Sequence, residues 1–295
     1  MKPTYLRSGD EVAVVSPAGR TDSALIDAGI AILQSWGLKV TPMPHVYGSL
    51  HQYSGSDENR IDDLQEAINN PKYKAIICTR GGYGCSRIVD KVDFSPLLDY
   101  PKWLVGFSDV TVLHAQLHRL SIESIHGAML KNFHHGAETV KEALFGTLTV
   151  YEIAGHPLNR PGTATGAIVG GNLTLINNII GTPSEIFMKG KILFIEDLGE
   201  QLYHLDRLMT QLQRTKKLEL IAGLIVGRFH EMKDSETIPF GKTVEEIIYN
   251  AAERYRYPLC FNFPAGHIDD NRAFYLGRTA TLTVGTEIST LTFQN

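Results

Sequence analysis

A serine stands where an apolar run gives way to an amphipathic one. In KWLVGFSDVTVLHAQLHRL, the stretch Trp103-Leu104-Val105 leads through Gly106-Phe107-Ser108-Asp109 into a helix-like segment from Val110 to Leu120. A serine on such a strand-to-helix turn projects its hydroxyl away from the sheet, and the amide of the next residue, Asp109, faces the same reacting oxygen. The chemistry this geometry favours is acyl transfer. Taken alone, the segment is better explained by a serine that caps the helix, because Ser and Asp are both favoured at helix N-termini.

Two further residues change that balance. Glu196 lies in KGKILFIEDLGE, where Ile192 to Ile195 reads as a buried strand with Glu196-Asp197 at its carboxyl end. Ligands of open parallel sheets collect outside the carboxyl ends of strands. His267, in LCFNFPAGHIDDNRAFYLG, is flanked by Pro264, Gly266 and the polar run Asp269-Asp270-Asn271, and reads as a loop residue. A serine hydroxyl needs a neutral imidazole to take its proton, and the imidazole needs a carboxylate to fix its tautomer. Ser108, Glu196 and His267 supply these three parts, and spacing alone leaves open whether they meet.

Other candidates read as structural. His114 and His118 stand four apart on the helix-like segment, a zinc-compatible spacing, but HAQLH lacks the glutamate of H-E-x-x-H. Surface or satisfied core histidines explain them better, and His126, His134 and His135 show no ligand spacing; no metal is expected. Cys78 and Cys85 bracket the glycine run RGGYG, which admits a thiol nucleophile, yet buried thiols acting as small hydrophobes are commoner. GGYG and GGNL complete neither the dinucleotide fingerprint nor the P-loop, so no cofactor is expected.

The elements that would position these residues alternate along the chain. Val12 to Val15, Val40, Ala75 to Cys78 and Leu104 to Phe107 read as strands. Ser23 to Trp36, Asn59 to Ile68 and Val110 to Leu120 read as helices, with a cap expected near Asn59. Such alternation predicts an α/β fold with an N-terminal parallel-sheet, flavodoxin-like domain over residues 1–140. Residues 141–164, punctuated by Gly155, His156-Pro157 and Pro161-Gly162 around a strand-like Thr147 to Ile153, read as a linker. A smaller, mixed β/α domain is expected over 165–295. Its strands are Thr165 to Val169, Leu193 to Ile195, Leu224 to Val226 and Thr279 to Val284, and its helices Asn172 to Ile180, Tyr203 to Leu212 and Thr243 to Ala252. Ser108 then comes from the first domain and Glu196 with His267 from the second, which predicts a cleft between them.

Composition agrees with an enzyme without choosing its chemistry. A chain of 295 residues with 43% hydrophobic content buries a substantial core, and its net charge of −4 offers no global basic field for nucleic acid. Val12 to Val15 is too short for a signal-peptide core, and no apolar run is long enough to cross a bilayer. The three cysteines form no even disulfide framework. A cytoplasmic protein without membrane or nucleic-acid partners is expected.

Five motifs in order, RGGYG (80–84), GFSDVT (106–111), GGNL (170–173), FIEDLGE (194–200) and GHIDDN (266–271), resemble the LD-carboxypeptidases over nearly the whole chain. These are serine peptidases also called muramoyltetrapeptide carboxypeptidases. The resemblance implies Ser108 as nucleophile, His267 as general base and then acid, Glu196 orienting the imidazole, and an oxyanion hole from the amides of Gly82 and Asp109. Glycines at 81 and 82 suit that last role, since they allow close main-chain approach and unusual dihedrals. The implied reaction releases the terminal D-alanine of murein tetrapeptide in cell-wall recycling, and the resemblance suggests a homodimer. Arg80 is a candidate for the substrate carboxylate, set against an arginine that closes a surface ion pair. Two rivals remain: a microcin-immunity-like hydrolase of peptidyl-nucleotides, with Tyr83, Tyr203 or Phe229 stacking on a base, and a non-catalytic module binding peptidoglycan fragments.

Overall fold

A computed structural model describes residues 1–294 and contains two sheets. The strands are β1 (Glu11–Val15), β2 (Lys39–Pro42), β3 (Tyr73–Cys78), β4 (Trp103–Gly106), β5 (Ser124–His126), β6 (Val150–Ala154), β7 (Gly162–Asn172), β8 (Ile192–Leu198), β9 (Gly223–His230), β10 (Leu259–Cys260), β11 (Phe274–Leu276), β12 (Thr279–Val284) and β13 (Ile288–Phe293). Among the described residues, no helix is long and apolar enough to cross a membrane.

The first sheet has the order β11-β5-β4-β3-β1-β2. β2, β1, β3, β4 and β5 run parallel, and β1, β3 and β4 are buried almost throughout, which is why each reads as an unbroken apolar run. The purely parallel sheet expected from the sequence stops at β5. There β11, contributed by a segment nearly 150 residues downstream, pairs antiparallel with β5 and covers its edge, so the sheet is mixed. The second sheet, β10-β9-β8-β7-β12-β13-β6, is also mixed: β7 to β10 pair in parallel, and β7, β12, β13 and β6 pair antiparallel. The long β7 serves both halves, meeting β12 along its first part and β8 along its last.

Helices flank these strands where local chemistry starts them. Asp22 caps Ser23–Ser35, Ser56 caps Asp57–Asn69, and Thr243 forms a capping box with Glu246 ahead of Val244–Ala252. The second of these begins two residues before the expected Asn59, because the Ser56 hydroxyl already accepts the Asn59 amide. Residues 141–164 carry the end of helix Phe133–Phe145, all of β6 and the start of β7.

Arg278 joins the two sheets. It sits between β11 of the first and β12 of the second, almost fully buried. Its guanidinium donates to Glu123 Oε2 from Nε (2.8 Å) and Nη2 (2.6 Å), donates to Tyr5 Oη (2.8 Å), and lies 3.5 Å from the Tyr275 ring centroid. Removing one member of a buried ion pair strands the other, so Arg278→Met is expected to cost about 3–5 kcal/mol. Urea denaturation followed by circular dichroism checks this; an unchanged midpoint would remove Arg278 from that role.

Candidate active site

β4 ends at Gly106, Phe107 stays extended, and Ser108 turns into the left-handed region at φ 62°. For a residue with a Cβ, that conformation costs on the order of 1–3 kcal/mol and persists only where its surroundings enforce it. A short 3₁₀ turn, Ser108–Val110, then feeds the helix Thr111–Arg119. The Ser108 side chain caps neither element, so the helix-cap reading gives way. Instead, the hydroxyl lies 3.0 Å from His267 Nε2.

The other two residues arrive from the second half of the chain. Glu196 is completely buried near the carboxyl end of β8, where the pairing with β9 shifts register between Ile195 and Asp197. Such shifts re-aim side chains next to active sites. Its Oε2 accepts from His267 Nδ1 at 2.7 Å. An ionised carboxylate only accepts, so the proton sits on Nδ1 and the Nε2 lone pair faces the serine hydroxyl. Gly266 makes this contact possible. At φ 131°, its backbone is one that only glycine adopts readily, and a Cβ there would lie 2.8 Å from Arg228 O and 3.1 Å from Glu196 Oε2.

Opposing influences act on the His267 imidazole. Burial, the largest, lowers its pKa, but the charge and hydrogen bond of Glu196, with Asp197 adding, outweigh burial and hold it above the ordinary histidine value. Asp197 was not singled out from the sequence, although it sits beside Glu196 in FIEDLGE. Its carboxylate accepts from Asn172 Nδ2 (2.8 Å), the Thr174 amide (3.0 Å) and hydroxyl (2.9 Å), and the Leu198 amide (2.9 Å). Burial first, then the charge of Glu196, raises its pKa to about 6. Asn172 also donates its amide to Thr111 Oγ1 at 3.0 Å, tying GGNL to the helix that follows Ser108.

Asp109 contributes more than a main-chain amide. Its buried Oδ2 accepts the Cys85 amide at 2.7 Å, which anchors the far end of the RGGYG loop to the serine turn. Burial raises this carboxyl's pKa, and the Cys85 amide opposes the rise. Gly81 rests against the same turn, where a Cβ would lie 2.9 Å from Ser108 Cβ and 3.2 Å from the Asp109 nitrogen. Gly82, at φ 103°, follows on the exposed rim.

These groups open onto a cavity of about 470 Å³ lined by Arg80, Gly82, Ser108, Lys131, His230 and His267, among others. Arg80 closes no ion pair among the described residues; its Nη1 donates to Arg20 O at 2.8 Å. Tyr83, Tyr203 and Phe229 are not in the lining. His114 uses both ring nitrogens internally, with Ser124 Oγ (2.8 Å) and Gly106 O (2.9 Å), and burial lowers its pKa to about 4. It is a satisfied core histidine that braces the end of β4. All three thiols are buried, and burial pushes each upward, away from nucleophilic character.

An α/β scaffold holding a serine, an imidazole and a carboxylate in hydrogen-bonded series defines a class, the serine-type hydrolases. The chain belongs, more particularly, to the LD-carboxypeptidase family: the family's N-terminal domain matches residues 12–127 and its C-terminal domain residues 165–282. It is 34% identical to a probable murein peptide carboxypeptidase of Bacillus subtilis, over 95% of this chain and 91% of that protein. A muramoyltetrapeptide carboxypeptidase from Oxalobacter formigenes superposes with a TM-score of 0.88 at 27% identity, covering 97% of this chain and 99% of that one. The microcin C7 self-immunity protein bound to aspartyl sulfamoyl adenosine shares the fold, with a TM-score of 0.87 at 18% identity over 100% of this chain and 99% of that one.

The electrostatics yield a direct expectation. In a histidine NMR titration, His267 should titrate above the ordinary imidazole value near 6.5. In Glu196→Gln, the attraction is lost while burial remains, so the midpoint should fall below it. A midpoint that does not move would show that Glu196 leaves the imidazole's charge unaffected.

Proposed function

We propose that this chain is a serine carboxypeptidase releasing the terminal D-alanine of murein tetrapeptide, with Ser108, His267 and Glu196 as its catalytic triad. The observation that carries the reading is the continuous hydrogen-bonded series from the Ser108 hydroxyl through His267 to the buried Glu196 carboxylate. The names of the similar murein carboxypeptidases support the substrate class.

In this mechanism the Ser108 oxygen attacks the carbonyl carbon of the L,D-amide as His267 Nε2 takes the hydroxyl proton. The amides of Gly82 and Asp109 receive the oxyanion; the fit of Gly81 against the serine turn supports that assignment by bringing the glycine loop up to Asp109. His267 then gives its proton to the departing D-alanine amine as the C–N bond breaks. Water, deprotonated by the same imidazole, attacks the acyl-enzyme and frees the shortened peptide. Glu196 stays ionised throughout, stabilising the imidazolium and fixing its tautomer. Arg80 is assigned to the substrate carboxylate.

The peptidyl-nucleotide reading finds less support, since none of the aromatic residues suggested for base stacking lines the cavity. A cytoplasmic location, consistent with three buried free thiols, and a homodimeric state belong to the same proposal.

The test is D-alanine release from murein tetrapeptide. Ser108→Ala and His267→Ala should fold normally and lose about 10⁴-fold or more in kcat, with Glu196→Ala somewhat less affected. Undiminished release by Ser108→Ala would overturn the assignment.

A further inference from the structure

The cavity beside Ser108 holds two cations without a counterion. Arg80 and Lys131 both line it, and Asp269 contributes an acidic group to the wall. Among the described residues, no carboxylate lies within 4.0 Å of either cation. Arg80 already has one donor committed to Arg20 O. Lys131 is fixed by its main chain, its amide donating to Thr79 O at 3.0 Å, which sets it beside the strand end that leads into Arg80.

The charges of these groups act on one another. Burial first, and then the charge of Arg80, lowers the Lys131 ammonium below the ordinary lysine range, and the charge of Lys131 in turn opposes protonation of His267. Asn132, at the N-terminus of the 13-residue helix Phe133–Phe145, lines the cavity too. That terminus has no side-chain cap and no acidic residue in its first turn, so its field adds to that of the two side chains. Like charges gathered in a half-enclosed space repel, and an anion placed between them relieves the repulsion.

We propose that Lys131, with Arg80 beside it, binds the free α-carboxylate of the substrate's C-terminal residue, and that this contact confines the enzyme to removing a single residue from a chain end. The inference rests on the peptidase reading above. Covalent geometry sets the distance: only an amide nitrogen and one Cα separate the scissile carbonyl carbon from the terminal carboxylate carbon, within the span of about 3.8 Å between neighbouring Cα atoms. The receptor for that carboxylate must therefore share the cavity with Ser108, on the side where His267 meets the departing amine. Lys131 lines that cavity, and its charge reaches His267. An internal peptide bond would present a neutral amide there and leave both cations without an anionic partner.

The experiment compares a tetrapeptide ending in D-alanine with the same peptide ending in D-alaninamide, by turnover on the alkaline plateau of the pH profile and by calorimetric binding to Ser108→Ala protein. Protein with Lys131 intact should prefer the free acid. Lys131→Met should weaken binding and kcat/KM for the acid by about 10- to 100-fold, the scale of one lost charge-assisted hydrogen bond, leave the amide nearly unaffected, and so lower the acid-to-amide ratio by the same factor, with Arg80 holding what preference remains. Lys131→Arg should keep most of the preference. Equal losses on acid and amide would make Lys131 structural and overturn the proposal, as would equal binding of both peptides to protein that retains Lys131. Selective binding of the acid without any turnover by the wild type would uphold the carboxylate site and overturn the peptidase reading instead. Absence of binding to Ser108→Ala would overturn both.

Discussion

A single imidazole spans the gap between two sheets, and the architecture is arranged around keeping it there. His267 Nδ1 reaches the buried Glu196 on β8, and Nε2 reaches Ser108 at the end of β4, with 2.7 Å and 3.0 Å as the two contacts. Neither sheet alone holds all three groups. In the proposed mechanism this series relays a proton, and because such transfer falls off steeply with misplacement, the relation between the sheets becomes part of the chemistry.

Several independent ties hold that relation. β11 leaves the His267 loop and enters the edge of the first sheet, Arg278 bridges to Glu123, and the Asn172 amide reaches Thr111 on the helix behind Ser108. Beneath the imidazole, Phe107 packs 5.0 Å from its ring, and Phe194, His126, Phe274 and Phe263 continue the aromatic layer across both sheets. A close-packed layer of this kind transmits position rather than absorbing it. It also opposes relaxation of the left-handed Ser108 backbone and the loss of contact to a carboxylate whose second oxygen, Oε1, has no hydrogen-bond partner among the described residues.

The sequence made Ser108, Glu196 and His267 legible as candidates because each lies at a local transition: strand to turn at Ser108, strand end at Glu196, and a glycine- and proline-bounded loop at His267. Their convergence follows from topology instead. The three residues of β11 carry no sign of their direction or of the sheet they join, and for that reason a purely parallel first sheet was expected. Residues 141–164, expected as a linker, carry β6, an edge strand whose burial alternates and whose flanks are rich in Gly and Pro, which is why no strand pattern stood out there beyond Thr147 to Ile153. Asp197 and the carboxylate of Asp109 were passed over because their partners, Asn172, Thr174 and Cys85, lie more than twenty residues away. Lys131 had no motif at all; only the cavity brings it to Ser108.

The most direct test of an activated serine at this turn is covalent capture. With a serine-directed phosphonylating reagent, intact-mass and peptide mapping should find one adduct per chain, on Ser108, forming at least a hundredfold more slowly in His267→Ala. Labelling elsewhere, or labelling of Ser108 at an unchanged rate without His267, would contradict the account.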